Sequence, residues 1–349
     1  MLIYIKKSLF QEIQNFNGDN DLCAIALQNI AQSKIQGDHI FLIDRGSTIL
    51  IALHQLTQAT INVFEKIESE AAQYGGLKDN LMTYIEISSY DGTIEKQQNN
   101  GKTIIKIPLK FFSNNRIVQR VKLIGENLND CRFYERLSIL YINEYKSKEL
   151  PSKIKFELIG GGGNTTAESF KEIAKENNAL ALCITDNDKA TPTSPHGDTS
   201  KLCQVVNTSN LCHHQDIDAR YVENLLHYQQ IKKILSSKKE RLTLIKNLEF
   251  LESLADSTHW FHLPLKTGLK NLDKKSSTDY LYWDSVINTK FDEDYQIPPV
   301  SKYLLKWAID LTDENKLSTC PKDNPVHETW NVISALISSW GCCCEPMRV

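Results

Sequence analysis

The sequence lacks several features that would each point to a function class. No apolar run approaches the ~18 residues that a transmembrane helix needs, so no membrane partner is expected. The formal net charge of -3 over 349 residues argues against a purely electrostatic nucleic-acid binder. The nine cysteines follow no framework spacing, and the chain starts with the polar, lysine-bearing "MLIYIKKSLF". Both observations predict a reducing, cytoplasmic location.

Familiar nucleotide loops are also missing. The glycine-rich stretch "LIGGGGNTT" (158–166) has no Lys-Ser or Lys-Thr after its glycines, and it lacks the third glycine of a dinucleotide loop. We interpret it as a tight strand-to-helix turn in which Asn164 or Thr165 caps the helix. The backbone N–H groups of such a helix start are able to receive a phosphate.

Zinc templates are absent as well, although two segments contain possible ligands. Neither segment has a C-x-x-C pair, and three adjacent cysteines cannot easily face one ion, which disfavours structural zinc. A histidine of the first segment remains a candidate for assisting catalysis, whereas a Cys/His protease is poorly supported. The segments contain Cys212, His213 and His214, and Cys320, His327, Cys342, Cys343 and Cys344.

The chain divides into three regions by its pattern of elements. Residues 1–116 indicate an α/β domain with a helix in "DLCAIALQNIAQSK", a strand in "GDHIFLID", a long helix over 47–74, and a hairpin around a loop rich in Asn, Gln and Gly. Residues 229–349 indicate a mainly helical region. The most persistent helical pattern in the chain covers 216–255, at the start of that region.

The middle region, residues 117–228, alternates strands with helices. The strands are predicted in "IVQRVKLIG", "KIKFELIG", "ALALCIT" and "KLCQVVN", and the helices in "LNDCRFYERLSILYINEY" and "AESFKEIAKENN". Helices of this length between strands imply crossover connections and a mainly parallel sheet. The predicted fold class is therefore α/β, with a mainly parallel sheet flanked by helices and with sites beyond the carboxyl ends of its strands.

Four carboxylates follow two of these strands. Glu126 comes directly after "VKLIG", and Asp130 lies four residues later at the start of a helix. Asp186 and Asp188 come directly after "ALALCIT". In a parallel sheet both groups emerge at the same edge, where they would repel strongly without a divalent cation. Hard oxygen ligands of this kind suit Mg²⁺.

The D-x-D spacing supports a shared ligand position. In an extended backbone, residues two apart point to the same side, so Asp186 and Asp188 are expected to approach one ion or two neighbouring ions while Asn187 faces away. An isolated D-x-D after a strand is often only a turn or a helix cap. The combination with Glu126 is what favours metal binding.

These residues resemble the TOPRIM domain, the catalytic module of topoisomerases, bacterial primases and OLD-type nucleases. Its pattern has a glutamate after the first strand, an acidic residue soon after, and D-x-D after a later strand. The resemblance covers residues 117–228 and includes the glycine-rich turn and "ARYVENLLH", around Glu223 and Asn224. Asn127 departs from the pattern, because the family usually has glycine there.

The resemblance implies a metal-dependent nuclease. Glu126, Asp130, Asp186 and Asp188 would hold Mg²⁺ or Mn²⁺, and Glu126 would also serve as general acid or base. Lys189 would contact a phosphate or the transition state, unless it is simply an exposed loop lysine. The substrate would be RNA, possibly tRNA, or DNA.

Chains of this size with a TOPRIM domain resemble toxic effectors of bacterial antiphage defence. Such effectors are often held inactive by an ATPase or another partner. This sequence has no ATPase motif of its own. The resemblance therefore implies a separate regulatory partner, and a homo-oligomer is also possible.

A local excess of basic residues occupies 230–275. We consider four of its lysines as nucleic-acid contacts, and a solvated helix face or surface loop is the competing interpretation. Two of them lie in "FHLPLKTGLKNL", which is predicted to be a strand followed by a basic turn. The four are Lys232, Lys233, Lys266 and Lys270.

The alternative function is non-catalytic: a TOPRIM-like or receiver-like module that binds nucleic acid, nucleotide or a partner without cleaving. A receiver domain also gathers acidic residues at strand ends, but its acidic pair follows the first strand. Here the pair comes late and Glu126 comes first, which disfavours the receiver.

Overall fold

The computed structural model describes residues 1–14, 20–48, 56–145, 153–206, 209–238, 249–270, 278–287 and 294–347. The protein has an α/β architecture in which mostly parallel sheets are flanked by helices, as the alternation of elements predicts. Within these ranges no helix is both long and apolar enough to cross a membrane.

The N-terminal region forms a five-stranded sheet with the order β2-β1-β3-β5-β4, parallel except for β4. Its central strands are apolar and buried, so helices must cover both faces. The strands are β1 Leu2–Ile5, β2 Ile40–Ile43, β3 Thr83–Ile87, β4 Glu95–Asn99 and β5 Lys102–Lys106. The helices are α1 Lys7–Gln14, α2 Asn20–Gln36, α3 Gln58–Ser69, α4 Ala71–Tyr74 and α5 Leu77–Asn80.

The predicted strand at β2 and helix at α2 are confirmed, whereas the predicted hairpin has a different composition. The polar run that was expected to be its loop forms β4, which pairs antiparallel with β5. Asn100 and Gly101, at φ 49° and 78°, form the two-residue turn. The earlier strand β3 instead pairs parallel with β5. The predicted single helix over 47–74 is wrong in its described part, because α3 begins only after the extended Thr57 and ends before Glu70, which separates it from α4. Residues 49–55 of that prediction lie outside the described residues.

The middle region forms a four-stranded, fully parallel sheet with the order β7-β6-β8-β9. Each connection passes through a helix; the first two of these helices were predicted, whereas the one between β8 and β9 was not. The strands are β6 Lys122–Gly125, β7 Glu157–Gly160, β8 Ala181–Thr185 and β9 Cys212–Asp216. The helices are α6 Leu128–Tyr145, α7 Thr166–Glu176 and α8 Asp198–Val206.

One strand of this region was assigned wrongly. The described part of "KLCQVVN", Lys201–Val206, belongs to α8, and the fourth strand is the histidine segment Cys212–Asp216. The helix buries Ser200 and Cys203, three residues apart, and leaves Leu202 and Val205 at 56% and 75% exposed. A one-sided burial at this spacing is helical, but the short apolar run hides it in the sequence.

The C-terminal region is mostly helical, with a small antiparallel ladder. The predicted long helix over 216–255 is wrong within its described part, which contains short 3-10 turns on either side of one α-helix. The predicted strand at "FHLPL" overlaps a 3-10 turn, Thr258–His262. The elements are α9 Tyr228–Ser236, β10 Leu269–Lys270, α10 Thr278–Val286, β11 Tyr295–Ile297, α11 Leu304–Asp313 and α12 Pro325–Gly341.

The C-terminal helices pack against both sheet regions. Helix α12 contacts α6 and β3, and the ring of Trp330 on α12 stacks on Tyr141 of α6 at 5.2 Å. After α12, Cys342 forms an isolated β-bridge with Ile154. Buried residues from all three regions form one continuous apolar core. The division into domains at 116 and 228 stays a prediction.

Candidate active site

The end of β6 is held by the glycine-rich turn that follows β7. The N–H of Gly161 donates to the carbonyl of Gly125 at 2.8 Å, and the N–H of Gly163 donates to the carbonyl of Glu126 at 2.9 Å. A Cβ on Gly160 would lie 2.9 Å from the backbone nitrogen of Leu128. The glycines therefore let two chain segments approach closely, and they fix the backbone that carries Glu126.

The expected helix cap in the glycine-rich turn is only partly correct. Thr165 does precede α7, but its side chain makes no capping bond and donates to the carbonyl of Gly161 instead. The side chain of Asn164, the other candidate, lies outside the described residues. The turn is thus stabilised by an internal hydrogen bond from a hydroxyl to a backbone carbonyl.

Asn127, which departs from the TOPRIM pattern, caps helix α6. Its side-chain oxygen accepts from the N–H groups of Asn129 and Asp130 at 2.9 and 3.2 Å. The Asp130 carboxylate in turn accepts from the Asn127 N–H at 3.0 Å and from its side-chain amide at 2.7 Å. This reciprocal capping holds Asp130 beside Glu126 and uses only one oxygen, Oδ2, of the Asp130 carboxylate.

The D-x-D segment after β8 is not extended throughout, so the expected same-side geometry is wrong at its second aspartate. Asp186 is buried at 5% exposure, whereas Asp188 is exposed and has a φ of 52°, in the left-handed region. Asn187 is fully buried and organises the turn. Its side chain accepts from the N–H of Lys189 at 2.9 Å and donates to Asp218 at 3.4 Å.

The loop between the D-x-D segment and α8 is anchored to the neighbouring strand ends. The N–H of Gly197 donates to the carbonyl of Asn187 at 2.9 Å. His196 Nδ1 lies 2.9 Å from Asp216 Oδ2 at the end of β9. These contacts hold the loop against the aspartates at the carboxyl edge of the sheet.

A fifth carboxylate, which the sequence did not identify as a site residue, belongs to the cluster. Glu223 lies in the 3-10 turn Val222–Leu225 and is 4% exposed. Its charge raises the pKa of both Asp130 and Asp186. The signal in the sequence was a glutamate inside the apolar stretch "YVENLL", which predicts burial for a charged side chain.

The carboxylates raise one another's pKa values. Burial, followed by the charges of Asp188 and Asp130, raises the pKa of Glu126 to about 7. Burial raises the pKa of Asp130 to about 6, with a contribution from Glu223. Burial and then Glu126 lead the causes that hold the pKa of Asp186 well above its ordinary value. Such mutual shifts mark groups that share one poorly solvated space.

Two cations face this cluster. Burial would lower the pKa of Lys266, but the nearby carboxylates, Glu223 first among them, raise it overall. Burial raises the pKa of Asp188, and the charges of Arg220 and Lys266 oppose that rise. Both cations contact the ring of Tyr221: Lys266 Nζ lies 5.7 Å and the Arg220 guanidinium 5.2 Å from its centroid. Lys266, one of the predicted nucleic-acid contacts, thus lies at the acidic site.

Three carboxylate oxygens of the cluster are buried without a hydrogen-bond partner: Glu126 Oε1, Asp130 Oδ1 and Glu223 Oε2. Hard oxygen donors that lack hydrogen-bond partners and lie in one negatively charged region have the chemistry that Mg²⁺ or Mn²⁺ requires. Over the described ranges, no three Cys, His, Asp or Glu side chains are placed as ready-made ligands of one ion. The donor set fits a divalent metal in chemistry and burial, without being arranged as a complete coordination shell.

The other predicted contacts have different surroundings. Lys189 is half-buried beside Asp188, and its carbonyl accepts from His262 at 3.1 Å. Lys232 and Lys233 are exposed on α9, and Lys270 is exposed on β10. Among the described residues, Lys266 and Arg220 are the cations named among the leading causes that lower the pKa values of these carboxylates.

The histidines of β9 contact side chains of neighbouring elements. His214 Nε2 lies 2.8 Å from the Thr185 hydroxyl, and the ring of His213 stacks on Trp340 at 6.0 Å. Burial is the main cause that lowers the pKa of each to about 4. Both lie on the strand itself rather than after it, contrary to the expectation that favoured a catalytic role.

The C-terminal cysteines and His327 contact different partners. Cys320 accepts from the Tyr141 hydroxyl at 3.1 Å, while Cys344 Sγ donates to the carbonyl of His39 at 3.2 Å. His327 lies 3.5 Å from Glu144. All nine cysteines are free and buried. These contacts explain the cysteines as packing residues of the core.

Comparison with known proteins gives no relative: no family model, no curated protein and no solved structure matches the chain.

Proposed function

We propose that this chain is a nuclease that depends on Mg²⁺ or Mn²⁺ and hydrolyses phosphodiester bonds in RNA, such as tRNA, or in DNA. One observation supports the proposal above all others. Carboxylates from separate elements converge beyond the carboxyl ends of β6 and β8, where burial and mutual repulsion raise the pKa values of Glu126, Asp130 and Asp186. A divalent cation is the simplest partner that offsets such charge, and a phosphodiester is a substrate that such a cation polarises.

In this proposal Glu126, Asp130, Asp186 and Asp188 hold the metal, and Glu223 joins them as a fifth carboxylate. The metal supplies Lewis acidity toward the phosphate oxygens when bound. The orphaned oxygens of Glu126, Asp130 and Glu223 are the donors with no competing hydrogen bond. Asp188, the exposed member, lies nearest to solvent and hence to an incoming strand.

The chain's own residues perform the proton and charge chemistry. Glu126, with a pKa of about 7 in the metal-free chain, is suited to exchange a proton near neutral pH, and bound metal would lower that pKa. Lys266 carries a positive charge against the cluster and is placed to compensate charge that develops on the phosphate. Lys189 is a second candidate for that contact, since it directly follows Asp188.

For the biological role we propose a toxic effector of bacterial antiphage defence, regulated by a separate partner such as an ATPase. The TOPRIM resemblance of residues 117–228 supports this role. Expression of the chain in bacteria tests it: growth should be arrested by the wild-type chain and not by Asp188→Ala. Equal growth in both cultures would contradict the proposed toxicity.

The chemistry is tested by incubating the purified full chain with tRNA, single-stranded DNA and duplex DNA, with Mg²⁺, Mn²⁺ or EDTA. We expect metal-dependent cleavage that falls by at least about 100-fold in Glu126→Gln and Asp186→Asn. Glu176→Gln is the matched control, because Glu176 is an exposed carboxylate on α7 that pairs with Arg116 at 3.2 Å.

Isothermal titration of the metal alone separates the two functional hypotheses. Mg²⁺ or Mn²⁺ binding that is lost in Asp186→Asn, without cleavage of any substrate, would favour the non-catalytic binding module or a need for an activating partner. Cleavage that survives Glu126→Gln and Asp186→Asn would rule out this site as the catalytic centre.

A further inference from the structure

Two neighbouring aromatic rings, one exposed and one half-buried, lie at the start of helix α11. Tyr303, which immediately precedes the helix, is 44% exposed. Trp307 follows one turn later and is half-buried, and the two ring centroids lie 5.7 Å apart at an interplanar angle of 40°. The Ser301 hydroxyl accepts from the backbone N–H of Tyr303 at 3.2 Å, which fixes the start of the helix. A large ring held at the surface in this way offers a flat apolar face to a ligand.

Lysines surround these rings. Lys302 Nζ lies 5.2 Å from the centroid of Tyr303, and Lys238 Nζ lies 5.7 Å from the centroid of Trp307. Lys306 is exposed in the same turn of α11. The patch thus combines aromatic faces with positive charge, although the chain as a whole is slightly acidic.

Two features of the surroundings preserve the positive character of this patch. Glu314 lies close enough to Lys238 to be influenced by its charge, but it already forms an ion pair with Lys316 at 2.7 Å. The neighbouring helix α9, which packs against α11, adds Lys232 over the ring of Tyr228 at 5.7 Å. We refer to Lys238, Lys302, Tyr303, Lys306 and Trp307 as the aromatic–lysine patch.

The aromatic–lysine patch is connected directly to the acidic site. Leu265, the neighbour of Lys266, accepts a hydrogen bond from the N–H of Val300 at 2.8 Å. Gly268, with a φ of 69°, packs against Pro299 so closely that a Cβ would lie 2.7 Å from its ring. Tyr303 lies three positions after Val300, a reach of at most about 11 Å. A strand bound at Lys266 therefore needs to extend only a short way to meet the patch.

From these contacts we infer that the aromatic–lysine patch is a stacking platform for a single-stranded segment of the nucleic-acid substrate. Unpaired bases expose their π-faces, which stack on Tyr303 and Trp307, while Lys302, Lys306 and Lys238 meet the phosphates. A duplex keeps its bases stacked on one another and offers the platform no free face. The inference rests on the proposed nuclease function and narrows its substrate to unpaired strands near the cut.

The test measures binding apart from cleavage. Fluorescence anisotropy of labelled oligo(dT) and oligo(U) of about 12 nucleotides is recorded in EDTA with the full chain carrying Asp186→Asn, and a duplex of equal length serves as comparison. We expect single strands to bind more tightly than the duplex. Adding Tyr303→Leu should weaken single-strand binding by about 5- to 100-fold, whereas Tyr303→Phe, which keeps the ring, should stay within about 2-fold.

The lysines are tested by the salt dependence of the same binding. Lys302→Glu should weaken binding and reduce the slope of log affinity against log salt by about one, whereas Lys171→Glu on the exposed face of α7 should change neither. Oligo(dT) and oligo(U) together show whether the platform prefers DNA or RNA, and either preference supports it.

Several outcomes would overturn the platform. These are unchanged single-strand affinity in Tyr303→Leu, duplex binding equal to single-strand binding, or no binding of any oligonucleotide. The last outcome would leave the patch as a surface for a protein partner. Because the binding assay uses no metal and no cleavage, a chain that fails to cut any substrate can still bind single strands. If the chain cleaves its substrate but Tyr303→Leu leaves single-strand affinity unchanged, the platform is disproved and the nuclease function stands.

Discussion

Gly197 lies directly against the carboxylate of Asp188, so closely that a Cβ on Gly197 would overlap Asp188 Oδ2. We therefore predict that Gly197→Ala displaces Asp188 and lowers nuclease activity by at least about tenfold, with an unfolding cost of only about 1–3 kcal/mol from overpacking. Cleavage rate and the Mg²⁺-induced rise in melting temperature are the two measurements. Both should fall together, because the same side chain is displaced.

The control for this substitution is Gly76→Ala. A Cβ on Gly76 meets nothing within 4 Å, so the same chemical change should leave activity and the Mg²⁺ response unaltered. Wild-type activity in Gly197→Ala would show that the position of Asp188 does not matter for catalysis.

Removing one charge from the acidic cluster should stabilise the metal-free chain. Burial and the charges of Asp188 and Asp130 raise the pKa of Glu126. The neutral Glu126→Gln variant therefore removes the repulsion between residue 126 and these two carboxylates. We expect a gain in the free energy of unfolding of about 1–3 kcal/mol at pH 7.5 in EDTA. Urea denaturation measures it. A loss of stability would mean that these carboxylates do not repel one another in the folded chain.

Glu126 should make the metal-free chain progressively less stable, relative to the Glu126→Gln variant, as the pH rises from about 4.5 to about 7. The pKa of Glu126 is raised in the folded state from 4.5 to about 7, so this group binds more protons in the folded chain than in the unfolded chain across this window. Its contribution to stability therefore falls with rising pH, by at most roughly 3 kcal/mol. The buried histidines, whose pKa values are lowered, act in the opposite direction but equally in both chains. The measurement is thus the difference in melting temperature between the two chains in EDTA across the window.

The same linkage predicts when added metal stabilises most. Mg²⁺ competes with protons for the cluster, so it should raise the melting temperature more at pH 7.5 than at pH 5. The double variant Glu126→Gln with Asp186→Asn should lack both the contribution of Glu126 to the pH dependence and the metal effect. An Mg²⁺ effect that persists in this variant would place the metal elsewhere.

The sequence predicted the edge of the sheet at which the acidic cluster lies, because Glu126 and Asp186 directly follow apolar strands and parallel strands end together. It did not identify Glu223, whose approach depends on how the chain after β9 folds back over that edge. It also misjudged Asp188, since the spacing of D-x-D assumes an extended backbone. The left-handed turn at Asp188 is determined by long-range contacts of Asn187 and Gly197.

Helix and strand assignment failed where local pattern and packing conflict. "KLCQVVN" is a short apolar run that fits a strand, but its described part, Lys201–Val206, forms a helix because only one of its faces is buried against the sheet. The polar run before Lys102 fits a loop, yet it forms strand β4 because an edge strand needs no apolar face. Tertiary context decides both cases.

Lys266 should be essential for both stability and activity at neutral pH. Its charge opposes the raised pKa values of Glu126, Asp130 and Glu223, so Lys266→Met removes the main compensating cation of the cluster. We expect cleavage to fall by about 100-fold or more, and Lys266→Arg to restore part of it. Lys175→Met, on the exposed face of α7, is the matched control. Equal activity of the two Met variants would contradict the role of Lys266.

Asn187 and Asp188 should respond in opposite ways to substitution. The Asn187 side chain is fully buried and holds the N–H of Lys189, so Asn187→Ala leaves that donor without its partner. We expect a loss of about 1–3 kcal/mol in the free energy of unfolding.

Asp188→Asn removes a charge that raises the pKa of Glu126, and asparagine tolerates the left-handed backbone. It should keep or increase stability in EDTA while abolishing the Mg²⁺ response. Urea denaturation with and without Mg²⁺ compares the two variants. If Asn187→Ala were as stable as the wild type, the turn would not depend on its middle residue, and the assignment of ligand and organiser roles within D-N-D would be wrong.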